Sequence, residues 1–164
     1  MSEEIVIREI DDEAFDRFWP TFQAIVQARE TYAYDADLDR DAARTLWCEA
    51  PLRTYIACLG DEVLGSYYLK PNGAGPGGHV CNCGYMVSEA ARGRGIAARM
   101  CEHSQSVGRT LGFRAMQFNS VVSTNEGAVR LWLRLGFTEI GRVPGGFEHP
   151  VHGFVDTLIL HKHL

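Results

Sequence analysis

The run from Arg92 to Ala97 is the part of the chain best suited to bind a ligand. It follows an apolar stretch that ends near Val87 and opens directly into a helix-forming segment. The first N–H groups of a helix have no carbonyl partner, and the helix dipole adds partial positive charge there. Glycine lets a ligand approach the backbone closely. We therefore predict that backbone N–H groups of this run bind a diphosphate. The run consists of Arg92, Gly93, Arg94, Gly95, Ile96 and Ala97.

Two other interpretations of this run were considered. Residues 93–98 nearly match the dinucleotide fingerprint of Rossmann folds, which places its glycines directly after a strand and an acidic residue about 20 positions later. Here residues 88–92 intervene, and residues 113–121 contain no Asp or Glu, so the fingerprint fails on both counts. The second alternative is a glycine turn that only begins a helix, and the run by itself does not decide against it.

The elements that position this run follow from apolar periodicity, which predicts a mixed α/β fold in one domain over residues 1–164. Strands are predicted at 4–9, 53–59, 63–70, 79–87, 114–121, 137–143 and 153–163. Helices are predicted at 13–28, from about residue 39, at 95–111 and from residue 123 to 136.

Several details of these helices are also predicted. Pro20 should bend or split the first helix. The second helix should bury Ala43, Leu46 and Trp47 on one face. Ser123 and Glu126 have the spacing of a capping box, which predicts the start of the last helix.

Composition excludes several classes of function. The formal net charge is −5 over 164 residues and no basic face stands out, which argues against nucleic acid as a partner. No apolar run approaches the roughly 20 residues that span a bilayer, and the acidic N-terminus does not resemble a secretion signal. The 5 cysteines lie in apolar segments and have no usual zinc spacing. We expect reduced thiols, no metal, no membrane association and a cytoplasmic location.

Two motifs in the right order resemble those of the GCN5-related N-acetyltransferase (GNAT) superfamily. Arg92-x-x-Gly95-x-Ala97 is similar to the acyl-CoA motif of that family, Gln/Arg-x-x-Gly-x-Gly/Ala. About thirty residues later, the segment from Asn125 to Phe137 resembles the second motif, with an asparagine, an alanine, an aromatic residue and a closing Leu-Gly-Phe. The resemblance implies a mostly antiparallel seven-stranded sheet that is splayed between its central strands and flanked by four helices.

The resemblance also implies that acetyl-CoA binds as cosubstrate between the strands at 79–87 and 114–121. Residues 92–97 would hold its pyrophosphate. Strand edges at Met86 and Val87 would pair with the pantetheine arm, and an N–H of one of them would stabilise the oxyanion. Asn125 and Ala128 would contact the cofactor from the second motif. The alternative for Asn125 is that it caps its own helix.

Two positions depart from patterns that are common in the family. Trp132 stands where many members have a tyrosine that protonates the thiolate; an indole N–H can donate a hydrogen bond but is not acidic. Trp132 is therefore either a donor to sulfur or a core residue. Asn82 stands where several amino-acid acetyltransferases have a glutamate base. Asn82 and Asn119, on adjacent strands, are expected to orient the acceptor, because buried amides require partners.

The acceptor was inferred from a narrower resemblance. Asn82, Asn119 and Asn125 are similar to asparagines in yeast acetyltransferases that act on proline analogues such as azetidine-2-carboxylate, which are homodimers. Glu30 and Tyr32, between the first two helices, are predicted to contact the acceptor. Glu30, His79, His152 and water are candidate bases. Cys83 as a nucleophilic relay is a minor alternative to direct transfer.

These observations predict an N-acetyltransferase that acts on a small-molecule amine, such as an amino acid or cyclic imino acid. Two alternatives remain. A peptide or protein N-acetyltransferase would need an open groove, whereas the segments at 29–38 and 144–152 are long enough to cover one. A CoA-binding sensor without turnover would account for the departures at Asn82 and Trp132.

Overall fold

The computed structural model describes residues 3–164. The strands are β1 (Ile5–Glu9), β2 (Arg53–Leu59), β3 (Glu62–Pro71), β4 (Val80–Val87), β5 (Ala115–Val122), β6 (Thr138–His149) and β7 (Gly153–His163). The helices are α1 (Asp12–Ala28), α2 (Arg40–Arg44), α3 (Ile96–Thr110) and α4 (Glu126–Arg134). A π-helical turn, Thr45–Glu49, follows α2, and short 3-10 turns precede and follow β4. The element order is the predicted one.

All seven strands form one sheet in the order β1-β2-β3-β4-β5-β7-β6. Every neighbouring pair is antiparallel except β4 and β5, which are parallel. This parallel pair is also the shortest, since only Val80↔Ala115 and Cys81↔Met116 are in register. Beyond these positions the strands separate. The predicted splay of the central strands is therefore confirmed.

The sheet has a hydrophobic core on each face. Side chains on opposite faces of a strand alternate, so neighbouring residues enter different cores. Cys81 and Cys83 of β4 pack into the core that contains Met100 of α3 and Trp132 of α4. Met86 of β4 packs into the core that also contains Phe15, Phe18 and Phe22 of α1 and Trp47. We call these the α3–α4 face and the α1–α2 face. Cys81 and Cys83 therefore lie on one face of β4, and Met86 lies on the other.

Three predicted details differ from the structure. The helix α1 is continuous through Pro20, with Asp11 as its N-cap, so it is not split. Ala43 and Trp47 are buried, as predicted, but Leu46 is exposed. The π-helical turn has more residues per turn than an α-helix, so Leu46 is rotated away from the core. Pro144 to His149 belong to β6, so the segment at 144–152 is mostly a hairpin rather than a loop.

None of the helices within residues 3–164 is both long and apolar enough to cross a bilayer.

Candidate active site

The glycine run lies between β4 and α3, as predicted. Gly95 is the N-cap of α3 and makes no side-chain capping bond. The N–H of Arg99 donates the first bond of the helix to the Gly95 carbonyl, at 3.1 Å, so the N–H groups just before it are left without helical partners. Gly93 and Gly95 have φ angles of +76° and +75°, and a Cβ added at either would meet no atom within 4 Å. Open space above free N–H groups fits a diphosphate.

The two arginines of this run are held differently. Arg94 Nη1 lies 3.1 Å from Glu62 Oε1, in an exposed ion pair. Arg92 is exposed and makes no ion pair among the described residues. Exposed ion pairs contribute little stability, so a bound diphosphate could recruit Arg94 at small cost.

The gap between β4 and β5 begins at Asn82. Its Nδ2 donates to the Gln117 carbonyl across the gap, at 2.9 Å, and its Oδ1 accepts from the Tyr68 hydroxyl, at 3.3 Å. The Asn82 side chain thus replaces the backbone bonds that the separating strands no longer make. Both of its amide groups have partners within the protein.

The register of β4 decides which backbone groups point into the gap. Ser88 N donates to Leu64 O at 2.9 Å, and Asn72 N donates to Val80 O at 2.8 Å. Since bonding direction alternates along a strand, even-numbered residues of β4 pair with β3 and odd-numbered residues face the gap. Val87 therefore presents its N–H to the gap, whereas the N–H of Met86 is directed at β3. Of the two predicted oxyanion donors, only Val87 has the required direction.

Four amide side chains form a connected group on the α1–α2 face, which we call the amide cluster: Asn72, Asn82, Gln117 and Asn119. Asn119 Nδ2 donates to Asn72 Oδ1 at 2.7 Å, and Gln117 Nε2 donates to Asn119 Oδ1 at 3.1 Å. Asn82 joins the group through the Gln117 carbonyl. Asn82 and Asn119 thus each bond to Gln117, and their shared role toward the acceptor stays a prediction.

Tyrosine hydroxyls lie beside the amide cluster. Tyr32 and Tyr34 stack with ring centroids 5.5 Å apart, and Tyr32 donates to the Tyr85 carbonyl of β4 at 2.8 Å. Gly84 permits this approach, because a Cβ there would lie 2.5 Å from the Tyr68 ring and 3.0 Å from the Tyr32 hydroxyl. Burial raises the pKa of all three tyrosines above the ordinary value, Tyr32 most clearly. They are therefore neutral hydrogen-bond donors, not bases, at physiological pH.

The structure does not bring the candidate bases to Asn82. Glu30 is exposed just after α1. His79 precedes β4 and lines a surface cavity with Arg109 and His161, at the end of β4 where the strands are still paired. His152 is exposed in the turn between β6 and β7. No acidic or histidine side chain in the described part of the chain makes a hydrogen bond to the amide cluster.

The second motif forms the start of α4. Asn125 is the N-cap, but its side chain makes no capping bond, so the capping alternative for Asn125 is not realised. The predicted capping box of Ser123 and Glu126 is wrong as well: the N–H of Asn125 bonds to Val122 O at 2.9 Å, and the helix begins only at Glu126. Ala128 is partly buried against the α3–α4 core.

Trp132 lies in the core of the α3–α4 face. It is 7% exposed, and its ring centroid lies 5.0 Å from that of Tyr85 and 5.1 Å from that of Phe118. This packing supports the interpretation of Trp132 as a core residue rather than as a proton donor.

The five cysteines carry no disulfide. Burial, followed by the hydrogen bond with Cys81, raises the pKa of the Cys83 thiol well above its ordinary value. The thiolate that a nucleophilic relay requires is therefore disfavoured. Among residues 3–164, no group of three or more His, Cys, Asp or Glu side chains could hold a metal ion.

Four residues of the site have no role predicted from the sequence: Asn72, Gln117, Tyr34 and Tyr68. The strand predicted at 63–70 holds a usable signal, because Ser66, Tyr68, Lys70 and Asn72 alternate along the chain and share one face. Gln117 lies two residues before Asn119 on β5 and bonds to it, but nothing in the local sequence predicts this contact.

Both a family model and solved structures match this chain. The model of the acetyltransferase (GNAT) family matches residues 12–137. A GCN5-related N-acetyltransferase from Kribbella flavida has 44% sequence identity and a TM-score of 0.92, with 98% of each chain covered. A phosphinothricin acetyltransferase from Sinorhizobium meliloti, solved in complex with AcCoA, shares the fold with a TM-score of 0.84 at 18% identity, over 100% of this chain and 89% of that one.

A curated relative comes from fission yeast. The N-acetyltransferase aca1 of Schizosaccharomyces pombe is 36% identical over 103 residues, which are 62% of this chain and 49% of that protein. The chain thus spans about half the length of this relative. The match agrees with the resemblance to yeast enzymes inferred from the asparagines. Both sequence motifs lie within the 12–137 match, and the chain belongs to the GNAT family of acetyltransferases.

Proposed function

We propose that this chain transfers an acetyl group from acetyl-CoA to the amine of a small molecule, such as an amino acid or a cyclic imino acid. The observation that carries the proposal is the gap between β4 and β5, which begins at Asn82 and runs towards the free N–H groups before α3. Acetyl-CoA supplies an activated acyl group as a thioester. The chain supplies the seat for its diphosphate and the groups that orient the acceptor.

Each part of the site has a role in this proposal. Backbone N–H groups at residues 92–97 bind the diphosphate, with Arg92 and Arg94 at the rim. From α4, Asn125 and Ala128 contact the pantetheine arm. The Asn125 side chain is available for this contact because it makes no capping hydrogen bond. The N–H of Val87 stabilises the negative charge that develops on the carbonyl oxygen. One such donor contributes about 3 kcal/mol, roughly a hundredfold in rate.

The acceptor binds on the α1–α2 face of the gap in this proposal. Asn82 and Asn119 orient its amine, and Tyr32 lines the pocket beside Gly84. Glu30 is assigned a contact with the acceptor at the pocket entrance. No acidic or histidine side chain among the described residues bonds to Asn82, so in this proposal water removes the proton from the amine and also reprotonates the thiolate.

Two measurements test the proposal. Titration calorimetry with acetyl-CoA should detect binding at micromolar concentrations, and a thiol-release assay over amines and amino acids should detect turnover. Absence of binding at high micromolar acetyl-CoA would refute the enzyme interpretation. Acetylation of peptides but not of amino acids, measured by mass spectrometry, would favour the peptide-modifying alternative.

The second candidate is a sensor that binds CoA without turnover. Two observations favour it. Both amide groups of Asn82 already have partners within the protein, and no acidic or histidine side chain among residues 3–164 bonds to them. Binding of acetyl-CoA without release of thiol across the whole panel would support the sensor.

We also propose that the protein is a homodimer in the cytoplasm. The sheet ends on one side with β6, a strand of 12 residues. The β6–β7 hairpin exposes Ile140, Val143, Val151 and Phe154, which we call the hairpin patch. An exposed edge strand with apolar side chains is suited to pairing with another chain.

A further inference from the structure

Lys70 lies at the point where the gap between β4 and β5 begins. It pairs with Asn82 across the β3–β4 ladder, so the two side chains lie on the same face. Its Nζ is 5.2 Å from the centroid of the Tyr68 ring, and the Tyr68 hydroxyl donates to Asn82. Lys70 thus stands beside the amide cluster although the sequence analysis assigned it no role.

The two lysines of the chain are held in different ways. Lys162 Nζ donates to Gln105 Oε1 at 2.8 Å and to the Leu135 carbonyl at 2.7 Å. Lys70, in contrast, takes part in none of the ion pairs found within residues 3–164. Its exposed ammonium group is therefore available to an anion.

A second donor lies two residues further along the same face of the chain. Asn72 uses its Oδ1 to accept from Asn119. Its Nδ2 makes no hydrogen bond among the described residues, so the amide retains two unused N–H groups. Lys70 and Asn72 together offer a positive charge and a neutral donor beside the proposed acceptor position.

The strands around the gap carry almost no negative charge. β4 and β5 contain no Asp or Glu. β3 contains only Glu62, which lies at the far end of the strand and pairs with Arg94. An ammonium ion would find no carboxylate there, whereas an anionic group would find Lys70. These three strands therefore favour an anionic group of the acceptor over its ammonium group, and the proposed contact of Glu30 lies outside them, just after α1.

We propose that Lys70 and Asn72 form a carboxylate subsite, so that the acceptor is an amine carrying a carboxylate close to the reacting nitrogen. Lys70 binds the carboxylate as an ion pair, and Asn72 Nδ2 donates a hydrogen bond to it. The amine then lies beside Asn82 and Asn119. This inference rests on the proposed acetyl transfer and specifies its acceptor class.

Pairs of acceptors that differ only in the carboxylate test the subsite. L-proline and azetidine-2-carboxylate are compared with prolinamide and pyrrolidine in the thiol-release assay. We expect the acids to have a kcat/KM at least about 10-fold higher than the compounds that lack the carboxylate, since hydrogen bonds to charged groups contribute that much or more. Equal or better use of the compounds without a carboxylate would overturn the subsite.

Substitutions at Lys70 test whether this residue binds the carboxylate of the acceptor. Lys70→Met keeps the aliphatic contact with Tyr68 and should raise KM for the acids about 10- to 100-fold, with little change in kcat or in use of prolinamide. Lys70→Arg should restore most of the activity. Arg17→Met, on the exposed side of α1, removes the same charge elsewhere and should behave like the wild type. An equal loss with acids and amides in Lys70→Met would overturn the assignment.

A binding measurement separates failure of the subsite from failure of the proposed function. With saturating CoA present, the acids should raise the melting temperature of the wild type but not of Lys70→Met. If no acid stabilises the wild type and none is acetylated, the subsite is overturned. Acetyl-CoA binding and turnover of other amines would then still support the proposed function.

Discussion

Glycine serves different purposes at different residues of this site. Gly84 is needed because a side chain would collide with Tyr68. Gly93 and Gly95 have no such neighbours, so positive φ and open space above the backbone explain them better. Positive φ alone accounts for glycine at both positions, and the open space beside Gly95 leaves room for a ligand at the start of α3.

Substitution of Gly95 tests whether that space holds the diphosphate. Gly95→Val should abolish acetyl-CoA binding in titration calorimetry, because its side chain fills the seat of the phosphates. Gly112→Val is the matched control, since Gly112 also has a positive φ (+89°) and open surroundings, just after the opposite end of α3. Both variants should lose roughly 1–2 kcal/mol of stability from backbone strain. Equal retention of binding by the two folded variants would contradict the assignment.

Asn82 and Asn119 should differ in their effect on stability but share their effect on the acceptor. Both Asn82→Ala and Asn119→Ala should raise KM for the acceptor and leave acetyl-CoA affinity nearly unchanged. Asn82→Ala alone should also cost about 1–3 kcal/mol, because it removes the hydrogen bonds that Asn82 makes to the Gln117 carbonyl and to the Tyr68 hydroxyl. Acceptor kinetics, calorimetry and thermal unfolding measure the three quantities. Loss of cofactor binding in both variants would show that their roles are misassigned.

At the scale of elements, the N-cap of α1 predicts how the stability of the protein depends on pH. The Ala14 N–H donates to Asp11 at 2.8 Å, and this bond, ahead of the charge of Arg8, lowers the pKa of Asp11 in the folded state. A lowered folded pKa stabilises the protein above the unfolded pKa of about 3.9, and this contribution is lost as pH falls through the folded value. Asp11→Ala should therefore lower the melting temperature at neutral pH.

The same comparison at low pH provides the control. The difference between the wild type and Asp11→Ala should shrink as the pH falls through the lowered folded-state pKa of Asp11, because its carboxyl then becomes protonated. Asp11→Asn keeps a capping oxygen, so it should be more stable than Asp11→Ala and lack this pH dependence. A constant difference between wild type and Asp11→Ala across the acid range would refute the electrostatic part of the argument.

The elements that the sequence predicted well are those with a regular local pattern. The strands follow from alternation and α1 from its apolar periodicity behind the acidic pair Asp11 and Asp12, which are properties of neighbouring residues. The start of α4 did not follow, because the N–H of Ser123 bonds to Asp156, far away in the chain. The predicted burial of Leu46 is wrong because no local sequence pattern predicts a π-helical turn. Local rules fail where a distant contact or an extra residue per turn intervenes.

At the scale of the whole molecule, the sequence located the site but not its contacts. The phosphate seat follows from one continuous run of residues. The bonds from Asn82 to Gln117 and from Asn119 to Asn72 join residues 35 and 47 positions apart, and they depend on how β4 and β5 separate. A register of that kind is set by packing of the complete sheet. The alternation of β3 predicts the face on which Lys70 lies, but only the β3–β4 register shows that it lies opposite Asn82.

The proposed homodimer is a property of the whole molecule and can be tested at the hairpin patch. Phe154 is 75% exposed and Val151 is 79% exposed, at the end of a hairpin that also forms the sheet edge. Phe154→Glu should convert a dimer to a monomer in light scattering coupled to size exclusion, since a buried unpaired charge is costly. Leu133→Glu, at an exposed apolar residue of α4 outside the patch, should leave the dimer intact.

The wild-type protein should be dimeric at about 100 micromolar, because even a weak dimer with a Kd of about 10 micromolar is mostly formed at that concentration. A monomeric wild type at this concentration would refute the homodimer. If Phe154→Glu stayed dimeric while remaining folded, the dimer would form through another surface, and the exposed hairpin would need a different explanation.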